Sequence, residues 1–384
     1  MRGHAAGRPS AIGTAFALAD RMTNVDVAVV GGGPAGSTCA RALVSAGLDV
    51  VVLDRAAFPR DKVCAGWITP EVVRLLELDL ADYARDHVLE PFRAFRVSVM
   101  GQKPTLIDYG TAVSYGIRRS EFDHYLLRRT GAPVVELVQV THLERVAGRW
   151  IVDGQWAARY LVGAGGHHCP VARALNPGSG RESVVVAQRG EAEFAVGGLT
   201  PGTPELCFSG DLHGYGWLVP KGTWVNVGLG RDDPQMFSSH VRAFADELVH
   251  SGRMSPDAGR GWHGHAYLLA STSVRRIVGD HVVLTGDAAG VASPGSGEGI
   301  RGAVLSGQLA AEAIRRCTFA NDRLGLPRYA DALRVELGVG RRTRPAVHWL
   351  PRAWRRPATM AAFRSPTFIR HVLLNRMFLH GPTT

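Results

Sequence analysis

The 384 residues are 46% hydrophobic, 20% charged and 8% aromatic, with 46 Gly, 21 Pro and 5 Cys. That apolar fraction is too high for a disordered chain, and no uncharged apolar run reaches the roughly 18 residues a membrane-spanning helix requires. The formal charge of +10 would suggest a nucleic-acid partner if it were spread over several elements, but nine Arg and no Lys, Asp or Glu fall between Arg341 and Thr384, so the rest of the chain is close to neutral. No nucleic-acid partner is expected.

Residues 1–23 carry Arg2, Arg8 and a short apolar run from Ala11 to Ala19, without a clear small-residue cleavage site. They are expected to be a disordered extension ahead of the first strand, not a secretion signal. Val25 to Val30 and Leu48 to Leu53 are nearly continuous apolar runs, as buried parallel strands require, with a helix between them over Ser37 to Ala46. Further along, Arg119 to Arg129 is expected to be helical. Val134 to Leu143, Trp150 to Val162 and His281 to Thr285 are expected to be strands, and Gly299 to Cys317 a long helix. Short alternating strands fill Phe92 to Ile117 and Ser183 to His265.

This pattern predicts an α/β chain, α+β overall. A Rossmann-like dinucleotide domain is assembled from residues 24–91, 118–180 and 266–330, and a β-rich substrate domain from 92–117 and 181–265. Residues 331–384 form a basic C-terminal helical segment. In it, Ser365 and Pro366 look like an N-cap and first helical position, followed by Phe368, Ile369, Val372, Leu373 and Met377 at helical spacing. Two readings of this stripe stand: it docks on the body and closes the substrate cavity, or it rests on anionic lipid as a peripheral membrane contact.

Gly31-Gly32-Gly33-Pro34-Ala35-Gly36 places GxGxxG directly after a strand and at the opening of a helix. Gly31 allows the tight turn, Gly33 clears space for a pyrophosphate above the helix N-terminus beside Pro34 and Ala35, and Gly36 lets helix and strand approach. Asp54 ends the second strand, where its carboxylate can accept from an adenosine ribose, with Arg55 beside it. A second constellation selects FAD over NAD. Gly286 and Asp287 end a strand, and Pro294, Gly297, Gly299 and Ile300 follow at a helix start. Asp287 is expected to hold ribitol and phosphate, and the helix dipole to face the flavin N1/C2 edge. Gly297 to Gly302 repeats GxGxxG, but its strand ends too early for a separate NADPH site, so close packing is expected there.

The five cysteines (Cys39, Cys64, Cys169, Cys207, Cys317) are scattered and lack CxxC spacing, which fits a reducing, cytoplasmic compartment. His167-His168-Cys169 and His263-Gly264-His265 lack accompanying ligands at metal spacing, and no metal is expected.

Together, GGGPAGS, Phe58-Pro59-Arg60-Asp61-Lys62-Val63-Cys64-Ala65-Gly66, Arg119-x-x-Phe122-Asp123, Tyr215-Gly216-Trp217-Leu218-Val219-Pro220-Lys221, and GDAAG followed by GEGI resemble the geranylgeranyl reductase family. That family lies within the p-hydroxybenzoate-hydroxylase-like flavoproteins, and the resemblance covers Val25 to Cys317. It implies FAD reduced by NADPH or NADH without a second nucleotide domain, and reduction of a carbon–carbon double bond in an isoprenoid or similar apolar small molecule. By position it places Arg119 and Val140 on FAD, Cys64, Ala65 and Gly66 near the flavin, and Tyr215, Trp217 and Lys221 around the substrate, with Cys64, Tyr215, Trp217 and Lys221 as candidate catalytic residues.

Each of these also has a plainer reading: Cys64 as inert packing, Tyr215 as cavity wall with its hydroxyl satisfied, and Lys221 as a solvated strand end or a phosphate or ribose contact. The chain has Cys-Ala-Gly where the family has Cys-Gly-Gly, and Gly163-Ala164-Gly165-Gly166 where hydroxylase relatives carry Asp-Gly. Tyr215 to Pro220 also partly echoes the Trp-x-Trp-x-Ile-Pro of flavin halogenases. A flavin monooxygenase or halogenase acting on an aromatic or polyketide-type compound is therefore the alternative, and a protein that keeps FAD only for structure is a third.

Overall fold

The computed structural model describes residues 22–178, 182–193, 199–256, 261–340, 357 and 360–380. The N-terminal segment to residue 21 and six of the nine C-terminal arginines lie outside the described residues. The first strand, Thr23–Val30, is flanked by parallel neighbours Trp156–Gly163 and Val50–Leu53, and Val282–Leu284 extends the sheet beyond Trp156–Gly163. Register aligns Val30 with Leu53 and with Gly163, and Gly163 with Leu284. Four parallel strands thus end at one edge, and the residues that follow them emerge together there. In open α/β sheets that edge is where ligands bind.

Val27, Val29, Val52, Leu161 and Val162 are fully buried in this sheet's core, as strands covered on both faces require. Helices Pro34–Ser45 and Ile300–Phe319 pack against one another over it. Boundaries fall within two residues of the expected ones in most of these elements. Two expectations are corrected. Val134 to Leu143 is strand only at Val134–Val135 and at Leu143, where a separate strand Leu143–Val146 begins, because Leu137 takes a left-handed conformation (φ 61°) and the Thr141 and His142 N–H groups turn to the Asp153 carboxylate at 3.0 and 2.7 Å. Trp150 to Val162 is broken into Arg149–Val152 and Trp156–Gly163 by a turn with left-handed Asp153 and Gly154.

A second sheet of seven strands runs in the order His263–Tyr267, Val185–Glu193, Trp224–Arg231, Gly214–Lys221, Glu205–Phe208, Ala94–Val99, Thr105–Asp108, antiparallel except where Glu205–Phe208 meets Ala94–Val99. Period-two alternation divides its faces. Leu218, Val225, Val227 and Leu229 pack with Phe244 and Leu248 of helix Phe237–His250, whereas Trp217, Val219, Leu206 and Phe95 pack in a separate cluster with Trp67, Ile369, Leu373 and Phe378. A small three-stranded sheet, Trp67–Ile68, Ser114–Ile117 and Leu89–Phe92, packs against strand Gly214–Lys221 of the second sheet.

The C-terminal helix spans Pro366 to Phe378, capped by the Ser365 hydroxyl, and from Ile369 it winds as a π-helix. Bonds from i to i+5 slow the rotation of its faces. The buried set is therefore Ile369, Leu373, Leu374 and Phe378, packed with Trp67, Phe95 and Trp217, while Val372 of the expected stripe stays 40% exposed. This packing takes up the apolar face on which the lipid reading relied. No helix among the described residues is long and apolar enough to cross a membrane.

Candidate functional site

A cavity of about 660 Å³ opens at the carboxyl edge of the parallel strands and continues beneath the seven-stranded sheet. The expected cofactor residues Gly31, Gly33, Pro34, Ala35, Asp54, Arg55, Cys64, Ala65, Arg119, Val140, Gly286, Asp287, Gly297, Gly299 and Ile300 line it. Gly36, Gly66 and Pro294 do not line it. Gly36 sits where an added Cβ would lie 1.8 Å from the Gly31 carbonyl oxygen, Gly66 is wedged against Lys221, and Pro294 is exposed.

The phosphate-loop geometry follows from local sterics. Gly31 has φ of 115°, and a Cβ there would lie 2.4 Å from the Ala164 oxygen, so no side chain fits this turn. The helix after it starts with Pro34 and has no side-chain cap, leaving backbone N–H groups and the positive end of the helix dipole directed at the cavity. Asp54 is braced as well as acidic, accepting from Gly32 N at 2.7 Å and Ala56 N at 2.9 Å. A carboxylate has lone pairs to spare for further donors.

Arg119 is buried and forks onto Asp123 with two 2.7 Å bonds, and Arg60 reaches the same carboxylate at 3.2 Å. Burial works against the Arg119 charge, but Asp123 more than compensates and raises its pKa. Asp287 meets His265 Nε2 at 3.1 Å and Lys62 Nζ at 3.8 Å, and Lys62 Nζ lies 2.7 Å from the same His265 nitrogen. One ring nitrogen cannot accept from an ammonium and donate to a carboxylate at once, so the Lys62 charge and the His265 tautomer are linked. Burial pushes Lys62 down to about 8, with Asp287 opposing. Burial alone would raise the Asp287 carboxyl, yet the His265 hydrogen bond and the Lys62 and Arg119 charges hold it well below its usual range.

At the other end the wall is apolar and aromatic: Trp67, Leu206, Tyr215, Trp217, Val219 and Phe378. Tyr215 donates its hydroxyl to the Ser296 carbonyl, and burial raises its pKa well above the ordinary value. Trp217 donates to Asn226 Oδ1 at 2.8 Å. Its ring lies over Gly228, where a Cβ would come within 2.2 Å. The Cys64 sulfur lines the cavity and accepts from Gly66 N at 3.3 Å. Lys221 is not a solvated strand end: it is fully buried behind the wall, bonded to Glu191 at 2.9 Å.

Lys62, His265, Arg60 and Asn226 were not singled out as site residues by sequence reasoning. Lys62 and Arg60 stand in the quoted Phe58 to Gly66 block, and His263, His265 and Tyr267 share one face of a strand, which is the pattern that could have found them. Among the described residues no group of three or more His, Cys, Asp or Glu is arranged to hold a metal.

A family model described as FAD dependent oxidoreductase matches residues 26–111. The menaquinone reductase of Mycobacterium tuberculosis is 33% identical over 324 residues, covering 76% of each chain. The chain belongs to the geranylgeranyl and menaquinone reductase-like family of FAD-dependent oxidoreductases. The geranylgeranyl diphosphate reductase of Rhodobacter capsulatus is 31% identical over 303 residues, covering 75% of this chain and 74% of that one. In three dimensions a geranylgeranyl bacteriochlorophyll reductase-like protein from Thermoplasma acidophilum superposes with a TM-score of 0.70 at 20% identity, covering 92% of this chain and 91% of that one. A flavin-dependent brominase superposes with a TM-score of 0.69 at 19% identity, covering 93% of each. Both likenesses show the fold alone.

The donor set suits the family's cofactor. An uncapped helix N-terminus, a glycine turn that any Cβ would fill, an acid ending the second strand and the Asp287 carboxylate all face one cavity. These are the groups a flavin dinucleotide needs for pyrophosphate, ribose and ribitol.

Proposed function

We propose that this protein reduces a carbon–carbon double bond of an isoprenoid or similar apolar molecule, with NADPH or NADH as the source of electrons. One observation carries the reading: the cavity runs unbroken from the dinucleotide cradle to a wall of Trp67, Leu206, Trp217, Val219 and Phe378. Two of the polar groups at that end are already bonded, Tyr215 to Ser296 and Trp217 to Asn226, and the Trp67 indole N–H is buried without a hydrogen-bond partner among the described residues. Such a surface favours a hydrocarbon chain and excludes water from it. The relatives named menaquinone reductase and geranylgeranyl diphosphate reductase support the same substrate class.

The glycine turn and Pro34 helix would hold the pyrophosphate of FAD, Asp54 the ribose and Asp287 the ribitol. When bound, FAD supplies two-electron hydride chemistry. Saturating an alkene also needs a proton. The Tyr215 proton is engaged with the Ser296 carbonyl, so the Cys64 thiol, open to the cavity between cradle and apolar wall, is the protic group we assign to that task.

The test is anaerobic incubation of the FAD-loaded protein with NADPH or NADH and a menaquinone, or separately geranylgeranyl diphosphate, followed by mass spectrometry. A product heavier by two hydrogens per saturated bond is expected. Product formation that requires oxygen and inserts oxygen or halogen would replace this reading with the monooxygenase or halogenase one. Changing Cys64 to Ser should lower turnover about 10- to 100-fold while FAD binding is retained, and unchanged turnover would remove Cys64 from the reaction.

A further inference from the structure

Behind the cavity wall lies a buried polar group that the proposed chemistry does not use. Asn226 is fully buried in the strand Trp224–Arg231. Its Oδ1 accepts from the Trp217 indole at 2.8 Å, and its Nδ2 donates to the Cys64 carbonyl at 3.1 Å and to Glu191 Oε1 at 3.3 Å. An indole N–H can only donate, and a carbonyl and a carboxylate can only accept, so the partners fix which way the carboxamide points. Glu191 is held in turn by Lys221 at 2.9 Å and Arg118 at 3.4 Å. The Lys221 ammonium also packs so closely on Gly66 that a Cβ there would lie 2.3 Å away.

One strand further out, Arg189 pairs with Asp61 and donates to the Lys62 carbonyl at 3.1 Å. The loop from Asp61 to Gly66 is thus tied to the seven-stranded sheet by Arg189, Lys221 and Asn226 as well as by the Lys62–His265 contact, and Asn226 is the one that also bonds Trp217 of the substrate wall.

We infer that Asn226 is a positioning residue that couples the Cys64–Gly66 loop, on the flavin side of the cavity, to Trp217, on the substrate side. The inference rests on the proposed reading only for what the two sides bind. A shift of the Trp217 ring on substrate entry pulls on the amide oxygen, and the same rigid amide carries the displacement to the Cys64 carbonyl. Ala65, with its Cβ, has less backbone freedom than a glycine would, so an external tether can set the position of this loop.

The test needs no substrate, so its failure is distinguishable from failure of the alkene-reductase reading. Asn226→Asp at pH 8 keeps shape and the acceptor for Trp217, but removes the donors and sets a carboxylate against Glu191. FAD affinity, read by fluorescence titration, should fall about tenfold, with a changed visible spectrum of the bound flavin. Trp217→Phe removes the donor to Oδ1 together with the part of the indole that lies over Gly228. It should shift the same spectrum, and combining it with Asn226→Asp should add nothing further, whereas independent sites would add. If Asn226→Asp does not fold, Asn226→Ser takes its place in the same cycle. Unchanged FAD affinity and spectrum in both single variants, or strictly additive effects in the double variant, would overturn the coupling and leave Asn226 as a packing residue.

Discussion

Single atoms decide much of the cavity. At Gly36 an added methyl would lie 1.8 Å from the Gly31 oxygen and 3.1 Å from Ala164 Cβ, with backbone on one side and a packed side chain on the other. Gly36→Ala should therefore cost about 1–3 kcal/mol or more of stability in urea titration and weaken FAD binding with it, although residue 36 does not line the cavity. A variant as stable as the parent would show that the turn can relax. Lys62 permits a prediction with a definite sign. Its pKa falls from the ordinary 10.5 to about 8 in the folded protein, so between those values the unfolded chain binds more protons and stability rises with pH across the window. Lys221, also lowered by burial, acts in the same direction. In FAD-free protein, Lys62→Met should flatten the slope of unfolding free energy between about pH 8 and pH 10, and an unchanged slope would mean Lys62 titrates normally. The pairing of Lys62 with His265 was not legible in the sequence, because the contact joins residues 203 apart and no periodicity reports a pairing between a loop and a strand of another sheet.

At the scale of elements, legibility followed hydrogen-bond locality. The strand–turn–helix of the dinucleotide motif and the long helix Ile300–Phe319 were readable because glycine spacing and 3.6-residue periodicity are local signals. The strand expected through Leu143 failed because a distant carboxylate, Asp153, captured two backbone donors. The expected face of the tail helix holds at Ile369 and Leu373 but differs at its edge, since a stripe drawn at 3.6 residues includes Val372 and omits Leu374 and Phe378, which the π-winding buries. That difference can be tested directly. Leu374→Ala should destabilise by about 2–5 kcal/mol, whereas Val372→Ala, on the exposed side, should stay within about 0.5 kcal/mol. Denaturant titration of the two variants separates the winding observed here from an ordinary α-helix, for which the costs would be closer. Tyr109 holds the same helix through Asn375 at 2.6 Å, and Arg370 lies over the Tyr109 ring, so the polar side is engaged as well.

For the whole molecule, the cavity is assembled from chain segments far apart in sequence: the loop after Val30, the loop ending at Gly66, the Val138–Val140 stretch, strands of the second sheet, the Gly286–Ile300 region and Phe378 of the last helix. A ligand that touches all of them binds only when they are together. Mass action then applies to the folded state as a unit, and free FAD at 100 times its dissociation constant should stabilise the protein by about 2.7 kcal/mol. The expectation is a single thermal transition, reported alike by tryptophan fluorescence and by circular dichroism, moving upward together as FAD is added. Trp150 and Trp156 belong to the first sheet, so the measurement uses a variant with both changed to Phe, in which Trp67 and Trp217, on the apolar wall beside the C-terminal helix, report the region away from the glycine turn. A chain in which the dinucleotide sheet alone were stabilised would show two transitions, with the fluorescence step indifferent to FAD. That result would mean the second sheet folds independently of the cofactor cradle, and the cavity would then be a meeting of separate units instead of one cooperative site.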